Sequence, residues 1–213
     1  MKKMLIITDS LGLPRPKPEI VEYNDTWVKK ISIYYDVWQY SSGGATISDL
    51  YSQIEYHKMF NPDIVLIQSG IVDCAPRALT KFESQFLNHF TLSKKITSKV
   101  LTKRRLENMR KRRNCTYTSI NEFDKYVELF VKEFGNKLFW IGIVPASNSY
   151  ESLLPGISNN ITRYNEILRN KIKSNYITLE DYSSNHIMTD NIHLSSLGHQ
   201  ELFQKIVKII PNV

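Results

Sequence analysis

The chain has 213 residues, of which 42% are apolar, 11% aromatic and 23% charged, and it carries a formal net charge of +7. That composition excludes a disordered chain, and the length suffices to bury a sizeable core, most simply as one domain spanning residues 1–213. The charge is gathered in one place. Between Lys94 and Arg113 stand ten basic residues, Lys94, Lys95, Lys99, Lys103, Arg104, Arg105, Arg110, Lys111, Arg112 and Arg113, opposed only by Glu107.

Two cysteines, Cys74 and Cys115, lie far apart and fit no zinc spacing, so a reduced, cytoplasmic protein with unpaired thiols is expected. The opening "MKKMLIITDS" places lysines before apolar residues, but its apolar run ends at Thr8 and is too short for a secretory signal. The apolar run "LFWIGIVPA" (138–146) is likewise too short to span a bilayer.

In chain order, "MLIITD" reads as a buried strand that ends in turn residues. "ISIYYDVWQY" (31–40) is rich in β-branched and aromatic residues and closes on "SSGGAT", predicting a second strand. "PDIVLIQSG" (62–70) and "KLFWIGIVPAS" (137–147) repeat the pattern, and "NYITLED" (175–181) is a weaker fifth instance. Between them "TISDLYSQIEYHKMF", "INEFDKYVELFVKEF", "ISNNITRYNEILRNKI" and "SSLGHQELFQKIVKII" carry helical spacing, and residues 80–115 form a basic helical excursion. Strands without polar alternation, separated by amphipathic helices, predict a parallel sheet covered on both faces. Ligands of such sheets bind at the carboxyl ends of the strands. Ser10, Gly43–Gly44 and Gly70–Asp73 all fall just beyond predicted strand ends, so they should meet on one edge.

Ser10 reads either as part of a turn, to which Asp9 and Ser10 are suited, or as a nucleophile. A serine nucleophile needs a base held by a third group. Of the histidines His57, His89, His186, His193 and His199, His193 stands out in "TDNIH", three residues after Asp190. That spacing lets the acid hold one ring nitrogen and leave the other free as a base. Gly43 and Gly44 permit positive φ in a loop, which is one way to turn a backbone N–H toward a site. Asp73 reads as a loop brace and Cys74 as a small buried thiol. Arg77 could grip a carboxylate or phosphate, or pair with a surface acid. Trp27, Trp38 and Trp140 read as core from their neighbours.

Taken together, "TDSLG", "SGGAT", "SGIVD" and "DNIH", in that order and across the whole chain, resemble the four blocks of the SGNH/GDSL hydrolases, and "ITRYNEILRN" resembles the helix before that family's last strand. The resemblance implies a three-layer α/β/α sandwich around a mainly parallel five-stranded, flavodoxin-like sheet. It implies Ser10, Asp190 and His193 as the triad, with the N–H groups of Ser10 and Gly44 as the oxyanion hole. Where that family usually carries an oxyanion-binding asparagine this chain has Val72, so either the N–H groups of Ser10 and Gly44 suffice, or another side chain supplies the bond, or the protein is slow or has changed role; low activity is expected.

The function so implied is an esterase that removes small acyl groups, acetyl above all, from a carbohydrate or another small acylated substrate, with no metal or organic cofactor. An O-acyltransferase using the same triad and a catalytically weakened glycan-binding protein are the alternatives. Residues 94–113 hold no aromatic residue, which argues against nucleic acid. They fit a solvated helix face, or an anionic membrane surface or acidic glycan, which would place the protein peripherally on the inner face of the membrane.

Overall fold

A computed structural model describes residues 1–89, 103–113 and 115–210. Five strands form one sheet: β1 (Lys3–Thr8), β2 (Asp36–Ser41), β3 (Ile64–Gln68), β4 (Leu138–Ile141) and β5 (Tyr176–Ile177). Their order is β2-β1-β3-β4-β5 and every pairing is parallel. This is the expected three-layer α/β/α fold.

The layers follow from the alternation of side chains along each central strand. Leu5, Ile7, Val65, Ile67 and Trp140 face one buried cluster, with Met4, Ile6, Ile64, Leu66, Phe139 and Ile141 in another. Both faces are apolar, so β1, β3 and β4 show no polar alternation and must be covered on both sides. On the first face lie α2 (Ile47–Tyr51), α3 (Ile54–His57), α7 (Ile120–Phe134) and α9 (Ile157–Ile172), through residues such as Leu50, Ile54, Phe123, Phe130, Ile161 and Leu168. The second face is covered by α1 (Trp27–Ile31) and α10 (Ser196–Ile209), through Trp27, Val28, Ile31, Leu202 and Ile206.

Several expectations are corrected. The segment 31–40 is a strand only from Asp36 onward. Ile31 ends α1, because Thr26 caps that helix by accepting from Lys29 N and the buried residues Trp27, Val28 and Ile31 share one helical face. "TISDLYSQIEYHKMF" is not one helix but α2, α3 and a 3₁₀ turn over Lys58–Phe60. Trp38 is not core: the residue is 49% exposed on the edge strand, where Nε1 donates to His57 Nδ1 at 3.1 Å. Within the region read as a helical excursion, α5 (Lys81–His89) and α6 (Lys103–Arg113) are helical; outside it, α4 (Ile71–Cys74) follows β3 and α8 (Asn148–Leu153) precedes α9.

The order of the strands fixes where a ligand would lie. The chain leaves β1 toward β2 on one side and leaves β3 toward β4 on the other, so a crevice opens between the carboxyl ends of β1 and β3. Ser10 and Gly70 stand at its two lips. Gly70 has φ +130, and a Cβ there would meet Ile143 Cδ1 at 2.7 Å, so both backbone conformation and packing exclude a side chain. Gly70→Ala is therefore expected to cost about 1–3 kcal/mol and to lower Tm by several degrees in a thermal melt. An unchanged melting temperature would show that this bend is not needed to place α4.

Candidate active site

The turn after β1 begins with Asp9. Its N–H continues the ladder to Gln68 O at 3.2 Å, and its Oδ1 then accepts from Leu11 N at 2.9 Å, capping a single 3₁₀ turn over Ser10–Gly12. Ser10 heads that turn with its hydroxyl half-exposed. Asp190 and His193 arrive on a second tight loop, closed by a bond from Met188 N to His193 O at 2.7 Å and by the Ile187–Leu194 bridge. Asp190 Oδ1 accepts from the N–H groups of Ile192 and His193, both at 2.9 Å. Asn191, at φ +65, makes the turn between them.

These two loops bring the expected residues together. Ser10 Oγ and His193 Nε2 are 2.9 Å apart, and His193 Nδ1 and Asp190 Oδ2 are 2.6 Å apart. With Nδ1–H donated to the carboxylate, Nε2 is left as the acceptor for the Ser10 hydroxyl. Burial lowers the His193 pKa below its ordinary 6.5, against the raising effect of Asp190. The Asp190 carboxyl is held below its usual range by the hydrogen bonds it accepts, which outweigh the cost of its partial burial.

Gly44 lies at the end of the loop that follows β2, with φ +73 and open space where a side chain would project. Among the described residues its N–H has no protein acceptor. The N–H of Ser10 opens its 3₁₀ turn and has no partner within it. Val72 sits in α4, half-buried and packed against the first core cluster, and supplies no donor. Asp73 braces the loops, as read from the sequence. It is fully buried and accepts from Ile47 N at 3.0 Å and from the Thr118 hydroxyl, tying the start of α2 to the segment before α7. Asn165 of α9 braces the exit of β4 by bonding both the N–H and the C=O of Ile143, each at 2.8 Å.

Two buried carboxyls thus lie under the crevice. Asp9 and Asp73 are each pushed up to about 7, chiefly by burial, and the charge of Asp73 adds to the effect at Asp9. Asp9 Oδ2 is buried without a protein partner, which leaves its charge poorly compensated. Cys74 is fully buried, and desolvation raises its thiol far above the range in which a thiolate forms, so it is no competing nucleophile. His199 is also buried. Its Nδ1 accepts from Trp27 N at 3.3 Å and burial lowers its pKa to about 4, so it is a neutral structural ring that seats α1.

Arg77 is placed just past α4. Its backbone N–H donates to Cys115 O at 2.7 Å and its guanidinium lies 4.4 Å from the centre of the Tyr117 ring. It forms no ion pair among the described residues. Two further groups went unread in the sequence. Arg15, on the loop after Ser10, is close enough to His193 for its charge to help keep the ring neutral. Tyr150 of α8 lies within the fields of both Arg77 and Asp190. Neither carries a local sequence signal, since both are brought to the crevice only by tertiary packing.

Of the basic segment, Lys94, Lys95 and Lys99 lie outside the described residues. At its far end Arg113 is committed to Glu83, at 2.9 Å, and to Ala78 O. No helix among the described residues is long and apolar enough to cross a membrane.

No protein-family model and no curated protein matches the sequence. Solved structures do match its fold over nearly the whole chain. A lipase/acylhydrolase from Enterococcus faecalis aligns with a TM-score of 0.67 at 17% identity, covering 99% of this chain and 95% of that one. An acetylxylan esterase from Geobacillus stearothermophilus aligns at 0.58 and 16% identity, covering 98% and 94%. A lipolytic protein of the G-D-S-L family from Desulfitobacterium hafniense aligns at 0.62 and 12% identity, covering 99% and 100%. The chain therefore has the fold of the SGNH/GDSL hydrolases, as the four sequence blocks implied.

Two outcomes follow from the electrostatics. A reaction that needs neutral His193 should show an acid limb in kcat/KM with its midpoint below pH 6.5, and a midpoint above 6.5 would contradict the burial of the ring. Asp9 titrates near 7 folded against 3.8 unfolded, so the folded state holds the extra proton between these values and stability declines as pH rises through them. Asp9→Asn keeps the Oδ1 acceptor and removes the titration. The Tm of the variant relative to the parent should therefore increase from pH 4 to pH 8, whereas a constant difference would show that Asp9 is ionised throughout.

Proposed function

We propose that the protein is a serine esterase of the SGNH type that removes small acyl groups, acetyl in particular, from a carbohydrate. The observation that carries this reading is the unbroken chain of hydrogen bonds from Ser10 Oγ through His193 to Asp190 at the carboxyl edge of the sheet. Ser10 Oγ bonds to the acyl carbon while its proton passes to His193 Nε2. The bond to the leaving alcohol then breaks and the alcohol departs with that proton. Water attacks the acyl-enzyme by the same route, giving up a proton to His193, and Ser10 recovers its hydrogen as the acid is released. Asp190 stays ionised and stabilises the imidazolium. The N–H groups of Ser10 and Gly44 receive the oxyanion.

The acetyl and carbohydrate parts of the reading draw support from the acetylxylan esterase among the structural relatives. Further support comes from a cleft of about 480 Å³ beside the Asp190 loop, walled mainly by apolar groups such as Pro145, Ile187 and Met188, with Thr189, Asn191 and Tyr182 among its polar members. Such a mixed lining suits a small-molecule substrate.

Incubation with a fluorophosphonate probe, followed by peptide mass spectrometry, should place the adduct on Ser10, and Ser10→Ala should abolish it. An intact protein that reacts nowhere, or at another residue, would overturn the reading. Asp190→Asn should lower kcat on p-nitrophenyl acetate by about 10⁴, since the wrong imidazole tautomer is then favoured. The parent itself should be slow for want of a side-chain oxyanion donor at position 72. Val72→Asn should raise kcat by up to about 10²–10³, and no gain in a folded variant would mean that the backbone donors already suffice.

A further inference from the structure

Asp190 and His193 are carried on the loop 187–194, which is closed on itself. The Ile187–Leu194 bridge joins its ends, Met188 N donates to His193 O at 2.7 Å, and Asp190 Oδ1 takes the N–H groups of Ile192 and His193. Those bonds fix the acid relative to the imidazole. They do not fix either group relative to Ser10, because all of them would survive if the loop turned as a unit about its base.

Apart from the contact of His193 with Ser10, residues 188–193 hydrogen-bond to the rest of the chain at two places among the described residues. Thr189 N donates to Glu19, an exposed residue, at 3.1 and 3.3 Å. At the other place Asn191 Oδ1 takes the hydroxyl of Ser147 at 2.9 Å and that of Ser149 at 2.7 Å. These two serines sit on a firm support. Ser147 Oγ also accepts from Tyr150 N at 3.1 Å and so caps α8, and Tyr150 is buried in the first core cluster. Asn191 therefore joins the middle of the loop to the start of a helix that is anchored in the core. Its φ of +65 would be met as well by glycine. What the asparagine adds is an acceptor for two hydroxyls.

We propose that Asn191 is a positioning residue, whose Oδ1 holds the loop against Ser147 and Ser149 and so keeps His193 Nε2 within reach of Ser10 Oγ. The proposal rests on the esterase reading for its effect on turnover, though not for its effect on the loop.

The titratable groups that face His193 are Asp190 on its own loop, Arg15 on the loop after Ser10 and His199 of α10. A loop released from Ser147 and Ser149 carries the ring outward together with Asp190. His193 then loses the burial that lowers its pKa and keeps the carboxylate that raises it, so the ring titrates higher.

The test variant is Asn191→Gly, which keeps the positive φ and removes the acceptor. With p-nitrophenyl acetate at pH 8, kcat should fall by about 10–100-fold, the scale of a small misplacement of a reacting group, while KM changes little. Asn191→Asp, which keeps the acceptor and tolerates the turn, should recover most of kcat at that pH. Ser149→Ala should lower kcat in the parent and change nothing further in Asn191→Gly, as expected of groups that act through one another. NMR titration of His193, assigned by comparison with His193→Gln, reads the loop without turnover, and its midpoint should move up in Asn191→Gly. If that variant does not fold, Ser147→Gly/Ser149→Ala removes both donors at little cost to the α8 cap and carries the same expectations. A parent that hydrolyses no ester would end the esterase reading, and an upward shift of the His193 midpoint would still support the clamp. A folded variant in which His193 titrates as in the parent would overturn the proposal, whether or not kcat falls, since the ring would not have moved.

Discussion

The turn at the end of β1 is set by one carboxylate oxygen. Asp9 must continue the pairing with β3 through its N–H and reverse the chain one residue later, and its Oδ1 achieves the reversal by taking up the N–H of Leu11. Without that bond the 3₁₀ turn has no cap, and Ser10 has no reason to present its hydroxyl to His193. The same carboxyl lies fully buried with its other oxygen unpartnered, so the turn is held at an electrostatic cost. Asp73 repeats the arrangement on the neighbouring strand's exit. There a buried carboxyl accepts from the first N–H of α2 and from Thr118, and so fixes the loop that carries Gly44. Two buried acids thus form the floor on which the candidate nucleophile and the candidate oxyanion donor are set.

Above that floor the charges are arranged in the opposite sense. The Asp190 carboxylate faces His193 and two N–H groups, and little of its charge is left for a ligand. His193 is buried and neutral, with the charge of Arg15 nearby helping to keep it so.

Much of this was legible in the sequence, for a physical reason. The strands β1, β3 and β4 are buried on both faces and so appear as unbroken apolar runs, and the turn residues that end them are the ones that meet at the sheet edge. Ser10 and Gly44 could be picked out because each stands just past such an end, and Asp190 and His193 because an acid three residues before a histidine marks the entry to the last helix. The failures have causes of a different kind. Residues 31–35 carry strand-like residue types but lie in the last turn of α1 and the loop after it, because the Thr26 cap and the packing of Trp27, Val28 and Ile31 override propensity. Trp38 looks like core yet occupies an edge strand, where one face is uncovered. Arg15 and Tyr150 gave no local sign at all, since an arginine in a proline-rich loop and a tyrosine in a short helix acquire meaning only from what packs beside them.

The central claim is that Ser10 is the nucleophile and that backbone donors alone receive the oxyanion. A crystal structure of the phosphonylated protein tests it most directly, because the phosphonate oxygen stands where the oxyanion would form. The account predicts phosphorus bonded to Ser10 Oγ, with that oxygen about 3 Å from the N–H nitrogens of both Ser10 and Gly44. His193 Nε2 should remain within hydrogen-bond reach of the Ser10 oxygen. A phosphonate oxygen turned to solvent, or held by a side chain in place of the Gly44 N–H, would contradict it.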